Sequence, residues 1–246
     1  MRPMSLVGRT HMHRLTGTLV ALLAVAFAVG IVWPAQAAEQ VKSLPFVNNF
    51  ATARFKLLGT SEIQGLTLKS FGEGTTVLPD RTSAWVGTDG SKTLSYVVQI
   101  GNTTYQRVGT GDWKQAKGMS NLNAQPVSAQ FNLLQQYATS ITKIGVEPVG
   151  NVSTTHYQVL LDGDKALQIG GGSNGLTAEQ RDYIAKAVFK YDFWIGGPDS
   201  FLYQQNIEIT LPATKLSGQD IPAIRSATLL TFYDINDPTI SISAPK

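Results

Sequence analysis

From Ala53 onward, apolar and polar residues alternate along most of the chain with a period of two, which is the pattern of half-buried β-strands. Ala53-Arg54-Phe55-Lys56-Leu57 reads as a first strand, and Ile63 to Phe71 as the next, with Leu66 and Leu68 on one face and Thr67 and Lys69 on the other. Gly72-Glu73-Gly74 reads as a turn or bulge, and Thr75 to Leu78 as a strand ending at Pro79-Asp80. Thr82 to Gly87 supplies another short strand before the Asp89-Gly90 turn. The strongest signal follows. Leu94 to Ile100 and Thr103 to Val108 flank Gly101-Asn102, which predicts a tight hairpin. Tyr96, Val98 and Ile100 share one face of it, and Ser95, Val97 and Gln99 the other.

The period changes after Trp113. From Pro126, well suited to the first position of a helix, Phe131, Leu134, Tyr137 (or Ala138) and Ile141 follow a three-to-four spacing, and Gly145 closes the segment. Alternation returns from Thr154 to Leu161 and stops at the Asp162-Gly163-Asp164 turn. Thr177-Ala178-Glu179-Gln180 has the form of a capping box. It predicts a second helix with Ile184, Ala187, Val188 and Tyr191 on one stripe. Phe193 to Ile195, Phe201 to Gln204, Ile207 to Leu211, Thr228 to Asp234 and a final Thr239 to Ser243 read as strands. Many strands with two segregated helices make an α+β protein rather than an alternating βαβ one. A long antiparallel sheet curls as it grows. Helices laid inside the curl would cover its apolar face, and incomplete filling would leave a cavity.

The first 37 residues stand apart. Arg2, Arg9 and Arg14 precede an apolar run from Leu15 to Trp33, followed by Pro34 and Ala35-Gln36-Ala37. This is the layout of an export signal with an A-x-A cleavage site, although the run also approaches the ~20 residues that span a bilayer. Residues 1–37 are thus expected to be a signal peptide cleaved after Ala37, or else an uncleaved anchor through residues 15–33. Residues 38–246 form a single expected domain. Three of the 20 basic residues precede Ala38 and none of the 17 acidic ones does, which leaves 17 against 17. The sequence pI of about 9.0 therefore belongs to the leader, and no basic footprint for nucleic acid remains.

With no cysteine, and with His11 and His13 in the leader, His156 is the single histidine beyond residue 37. Thiolate and multi-histidine metal sites are excluded. A hydrolase on His156 would need a nucleophile and an orienting acid, and no G-x-S-x-G elbow occurs; a structural histidine in its strand is the plainer reading, with Glu147 as a conceivable partner. Gly170 to Gly175 lacks the Gly-Lys-Ser/Thr ending of a phosphate loop and reads as a connector. Asp234-Ile235-Asn236-Asp237 lacks the frame of a calcium loop and reads as an Asx turn. No cofactor or metal is expected, and no enzyme. The apolar stripes are what remains.

Five stretches stand out in order: the opening ARFKLLGTSEIQGLTLKSFGEGTTVLPDR, the hairpin YVVQIGNTTYQRVGTGDWKQ, IGVEPVGNVSTTHYQVLL, the pair FWIGGPDSFLYQQNIEITL and the closing TLLTFYDINDPTISISAP. Taken together they resemble the LolA/LppX/LprG-like superfamily of exported bacterial lipid and lipoprotein carriers. The resemblance runs from about Phe50 to Pro245. It implies a curved antiparallel β-sheet, a half-barrel, with helices covering its concave apolar face and a hydrophobic cavity that sequesters acyl chains. It implies no catalytic residues. Ala37-Ala38 stands where mycobacterial members carry a lipobox cysteine, so this chain is expected to be non-lipidated.

The expected function is lipid or lipoprotein carriage in the periplasm, cell envelope or outside the cell. The alternative is an envelope sensor that uses the same fold to bind a protein or peptide. Lipid-lining candidates are Phe55, Leu57, Leu66 and Leu68 on the early strands, Val98 and Ile100 on the hairpin, and Leu134, Tyr137, Ile184 and Val188 on the helix stripes. Partners expected are a lipid or acylated ligand, a membrane surface in passing and an envelope protein, but no nucleic acid; the chain is expected to be a monomer.

Overall fold

The computed structural model describes residues 38–116, 127–169, 176–216 and 218–245. Residues 1–37, Pro126 and Gly170 to Gly175, on which several of these expectations fall, lie outside the described residues. Twelve strands pair antiparallel in one open sheet. In chain order they are β1 (Glu39–Gln40), β2 (Thr52–Ile63), β3 (Leu66–Val77), β4 (Arg81–Thr88), β5 (Ser95–Ile100), β6 (Thr103–Val108), β7 (Lys114–Gln115), β8 (Ser140–Val149), β9 (Val152–Asp162), β10 (Val188–Gly196), β11 (Leu202–Leu211) and β14 (Ile224–Tyr233). Across the sheet the order is β1-β8-β9-β10-β11-β14-β2-β3-β4-β5-β6-β7, and a separate ribbon pairs β12 (Thr214–Leu216) with β13 (Gln219–Ile221). The helices are α1 (Val127–Tyr137), α2 (Gly163–Ile169) and α3 (Ala178–Ala185). This is the curved antiparallel sheet with helices on one face that the hydrophobic pattern predicts.

Turn chemistry sets the hairpins. Gln64 and Gly65 both take positive φ, 53° and 76°, the twist a two-residue link between β2 and β3 needs. Gly101 has φ 56° between β5 and β6. The capping box on α3 forms as read: the Gln180 amide donates to Thr177 Oγ1 at 3.2 Å, and the Thr177 amide to Gln180 Oε1 at 2.8 Å. α1 is capped from 79 residues away, where Asn49 Oδ1 accepts from the Ser128 amide at 3.0 Å.

Residues opposite each other in an antiparallel pair point to the same side, so the register divides the sheet into two faces. The inner face carries Leu57 opposite Leu230, Tyr191 opposite Ile207 and Val159, and Ile141 opposite Val159. The main core lies there. Phe131 and Leu134 of α1 join Leu44, Val47 and Phe50 of the opening segment over Val159, Leu161, Phe193 and Ile195. The Phe131 and Phe193 rings meet tilted at 47°, 4.5 Å between centroids. A smaller cluster of Tyr183, Ala187, Leu211 and Ile224 closes the end near α3.

Several sequence expectations are corrected. The first helix stops at Tyr137, and Ile141 lies in β8, because its apolar side chain serves the sheet's inner face. The second helix stops at Ala185, so Val188 and Tyr191 belong to β10 and face opposite sides. Gly163 does not end a turn but starts α2, where a Cβ would collide with the Ile184 carbonyl of α3. Gly72 and Gly74 do not turn or bulge either. They sit inside β3, where a Cβ would come within 2.3 Å of the Trp85 carbonyl oxygen and of the Phe55 ring respectively. Phe201 to Gln204 and Ile207 to Leu211 merge into β11, whose pairing with β14 is unbroken from Gln204 to Leu211. Thr239 to Ser243 joins no strand pairing.

Candidate functional site on the inner face of the sheet

The described helices cover half of the inner face. α1 packs over β9, α2 over β9 and β10, and α3 beside β12. Among the described residues, no helix packs to comparable extent over β3–β7. On that half the register lines up Leu57, Gly72, Val86, Ser95 and Val108 in one cross-strand row, with Phe55, Gly74, Ala84, Val97 and Gln106 in the next. Towards the β2–β3 turn the same face continues through Leu68, opposite Ser61, and Leu66, opposite Ile63. Leu66, Leu68 and Val108 are 69%, 44% and 64% exposed, a set of large apolar side chains left open on the face whose other half is closed core. Gln99 is a buried polar member of this face, its Nε2 donating to the Gly101 carbonyl at 3.2 Å while Oε1 has no partner.

The lining candidates separate. Phe55, Leu57, Leu66 and Leu68 share the inner face. Val98 and Ile100 point to the outer face, opposite Ser83 and Arg81, while Val97 and Gln99 take the inner positions. Leu134 is buried within the main core and Tyr137 packs at its margin. Ile184 is half-buried in α3, and Val188 is exposed on the outer face of β10. Burial on the inner face raises the Tyr191 pKa to about 12.

Sequence reasoning offered Glu147 as a partner for a structural His156, which the structure bears out, but missed the rest of a polar ladder on the outer face. His156 Nδ1 lies 3.2 Å from Glu147 Oε1, and Nε2 lies 3.1 Å from Asp192 Oδ1. The Trp194 indole stacks on the imidazole at 4.2 Å and donates to Glu147 Oε2 at 2.8 Å. Gln158 donates to Asp192 Oδ1 at 3.1 Å and Asn206 to Asp192 Oδ2 at 3.3 Å, while Lys190 bridges to Glu208 at 2.6 Å. Burial pulls the His156 pKa down, but hydrogen bonds and charge from Asp192 and then Glu147 outweigh it and leave the value raised. The same contacts, with Gln158 and Lys190, hold Asp192 below its ordinary value against its own burial. Both ring nitrogens are taken by carboxylates, so His156 has none free to accept a proton from a nucleophile. The ladder is a strut. Nor do the described residues include a His, Asp and Glu group that could hold a metal ion, and none of their helices is long and apolar enough to cross a membrane.

No protein-family model and no curated protein matches the sequence. Solved structures do. The fold is similar to that of LppX. This lipoprotein from Mycobacterium tuberculosis is 13% identical over 79% of this chain and 90% of its own, with a TM-score of 0.36. LprF from Mycobacterium bovis is 11% identical over 80% and 90%, with a TM-score of 0.43. A LolA superfamily protein from Nitrosomonas europaea is 8% identical over 76% and 86%, at 0.29. The likeness extends to no residue or ligand.

Proposed function

We propose that this protein is an exported carrier that shelters the acyl chains of a lipid or acylated ligand on the open half of its inner face. The observation that carries the reading is the exposure of Leu66, Leu68 and Val108 on a face otherwise built as core. Leaving such side chains in water is unfavourable, and each CH₂ of a ligand chain buried against them recovers about 0.8 kcal/mol. A chain of a dozen or more carbons needs no more than a continuous apolar floor and a few polar handles. Phe55, Leu57, Val86 and Val97 supply the floor, and Gln99 stands at its lower end.

Native mass spectrometry of the chain from Ala38 to Lys246, followed by organic extraction and lipid analysis, tests the reading. A bound species of lipid mass that leaves on extraction is expected, and its occupancy should fall in a Leu68→Asp variant. A protein that stays bare after incubation with mixed phospholipids would refute carriage.

A further inference from the structure

The outer face of β2–β6 carries a second site of different chemistry. A depression of about 360 Å³ lies there between Tyr233, Arg54, Glu73, Trp85, Tyr96 and Trp113. The register builds it from two adjoining cross-strand rows. Tyr233, Arg54, Thr75, Ser83 and Val98 form one, and Lys56, Glu73, Trp85, Tyr96 and Arg107 the other. Trp113, just ahead of β7, meets Tyr96 edge-on at 6.4 Å. The Arg107 guanidinium packs against both rings, 4.4 Å from the Tyr96 centroid and 4.9 Å from that of Trp113, and Phe71 meets Trp85 edge-on at 6.0 Å. The rings are thus held by their neighbours, yet Trp85, Tyr96, Trp113 and Tyr233 all remain partly exposed.

The polar wall is also set. Arg54 Nε faces Asp234 at 3.5 Å across the end of β14. Glu73 is exposed and has no hydrogen bond or ion pair among the described residues, although its charge is close enough to raise the Tyr233 pKa after burial has done most of the work. An acyl chain suits this place poorly, because it would strip water from Arg54 and Glu73 without replacing it. A cationic ligand suits it poorly as well. Arg54, Lys56 and Arg107 surround the depression, and Arg107 and Lys56 already lie over its rings. A neutral ring with one C–H face and a rim of hydroxyls matches both parts of the wall: the face stacks on indole or phenol, and the rim bonds to carboxylate and guanidinium. The volume is at the small end of ligand sites, which run from about 300 to 1,000 Å³.

We propose that this outer depression is a saccharide site that takes one or two pyranose rings, stacked on Trp85 and Trp113 and held by Glu73 and Arg54. The site is independent of the acyl-chain reading, since it lies on the opposite face from Leu66 and Leu68. Its sugar has two conceivable sources, a soluble glycan or a glycolipid head group, and both share this chemistry.

The test is calorimetric titration of the chain from Ala38 to Lys246 with maltose, cellobiose, mannobiose and chitobiose at millimolar concentration. A parallel arm measures capture of phosphatidylcholine vesicles with and without a glycosyl-diacylglycerol. Saturable binding in either arm is expected; the first assigns a soluble glycan, and capture of the glycolipid vesicles alone assigns a head group. Trp113→Ala should weaken binding roughly tenfold, as the loss of one ring contact implies. Glu73→Gln should weaken it comparably and, being an exposed substitution, keeps the test valid if Trp113→Ala folds poorly. Leu68→Asp should leave it unchanged. No saturable binding in either arm, or binding that survives both Trp113→Ala and Glu73→Gln, overturns the proposal.

Discussion

At the scale of the residue, His156 carries the clearest consequence. The folded protein holds its proton more tightly than the unfolded chain does, so its contribution to stability is complete below the ordinary value of 6.5 and fades as pH rises through the raised one. Asp192 has the opposite sign. Its contribution is complete above 3.8 and fades as pH falls through its lowered folded value. Melting temperature should therefore peak in the mildly acidic range between the two and decline on the alkaline side. His156→Gln should flatten that alkaline decline; a wild-type-like slope in the variant would assign it to other groups. Asp192→Asn should cost about 3 kcal/mol by chemical denaturation, the scale for breaking a buried ion pair, because it leaves His156 and Lys190 short of their shared anion. The sequence offered Glu147 as a partner for His156, but spacing alone could place neither that pair nor the rest of the ladder. Simple alternation puts Glu147 on the same face as Lys143, which is on the inner side opposite Tyr157; the irregularity between Lys143 and Gly145 shifts the register by one and carries Glu147 to the outer side beside His156. Asp192 arrives from a strand 36 residues further on.

At the scale of the element, local chemistry was legible where it was self-contained. The β5–β6 hairpin, the Asp89-Gly90 turn and the capping box needed only their own neighbours, whereas the Gln64-Gly65 turn fell inside a stretch read as one strand. What escaped was anything decided by a second element. Ile141 fits a helical stripe and a strand face equally well, and the choice falls to its packing against Val159. Gly72 and Gly74 look like turn residues until β2 and β4 lie against them, at which point they read as sites of close approach. Gly72→Ala should therefore destabilise the protein by about 1–3 kcal/mol, since the clash is with the Trp85 backbone rather than a movable side chain. A melting temperature equal to that of the parent would show that β3 and β4 can separate at no cost. The same reasoning splits two substitutions that look alike in sequence. Leu134→Asp places a charge in the main core and should unfold the protein. Leu68→Asp falls on a side chain 44% exposed and should spare the fold while lowering lipid occupancy.

At the scale of the whole molecule, the sheet is one hydrogen-bonded body with two unequal halves. β8–β11 are sealed by α1–α3 and the opening segment, whereas β3–β7 carry an apolar inner face and a polar-aromatic outer face. Stability should follow the packing, because local opening costs least where few apolar contacts are lost. Amide hydrogen exchange without ligand should accordingly be slowest in β9 and β10 and faster in β5 and β6. Loading with a lipid should slow exchange in β3–β6 and leave β9 and β10 nearly as they were, since that half is already closed. Protection that rises mainly in β9 and β10 would mean the ligand enters between the helices and the sheet, and the open half would then need another occupant. Protection that rises in β3–β6 and is lost in Leu68→Asp ties the cargo to the inner floor of Val86 and Val97 rather than to the outer depression on the same strands.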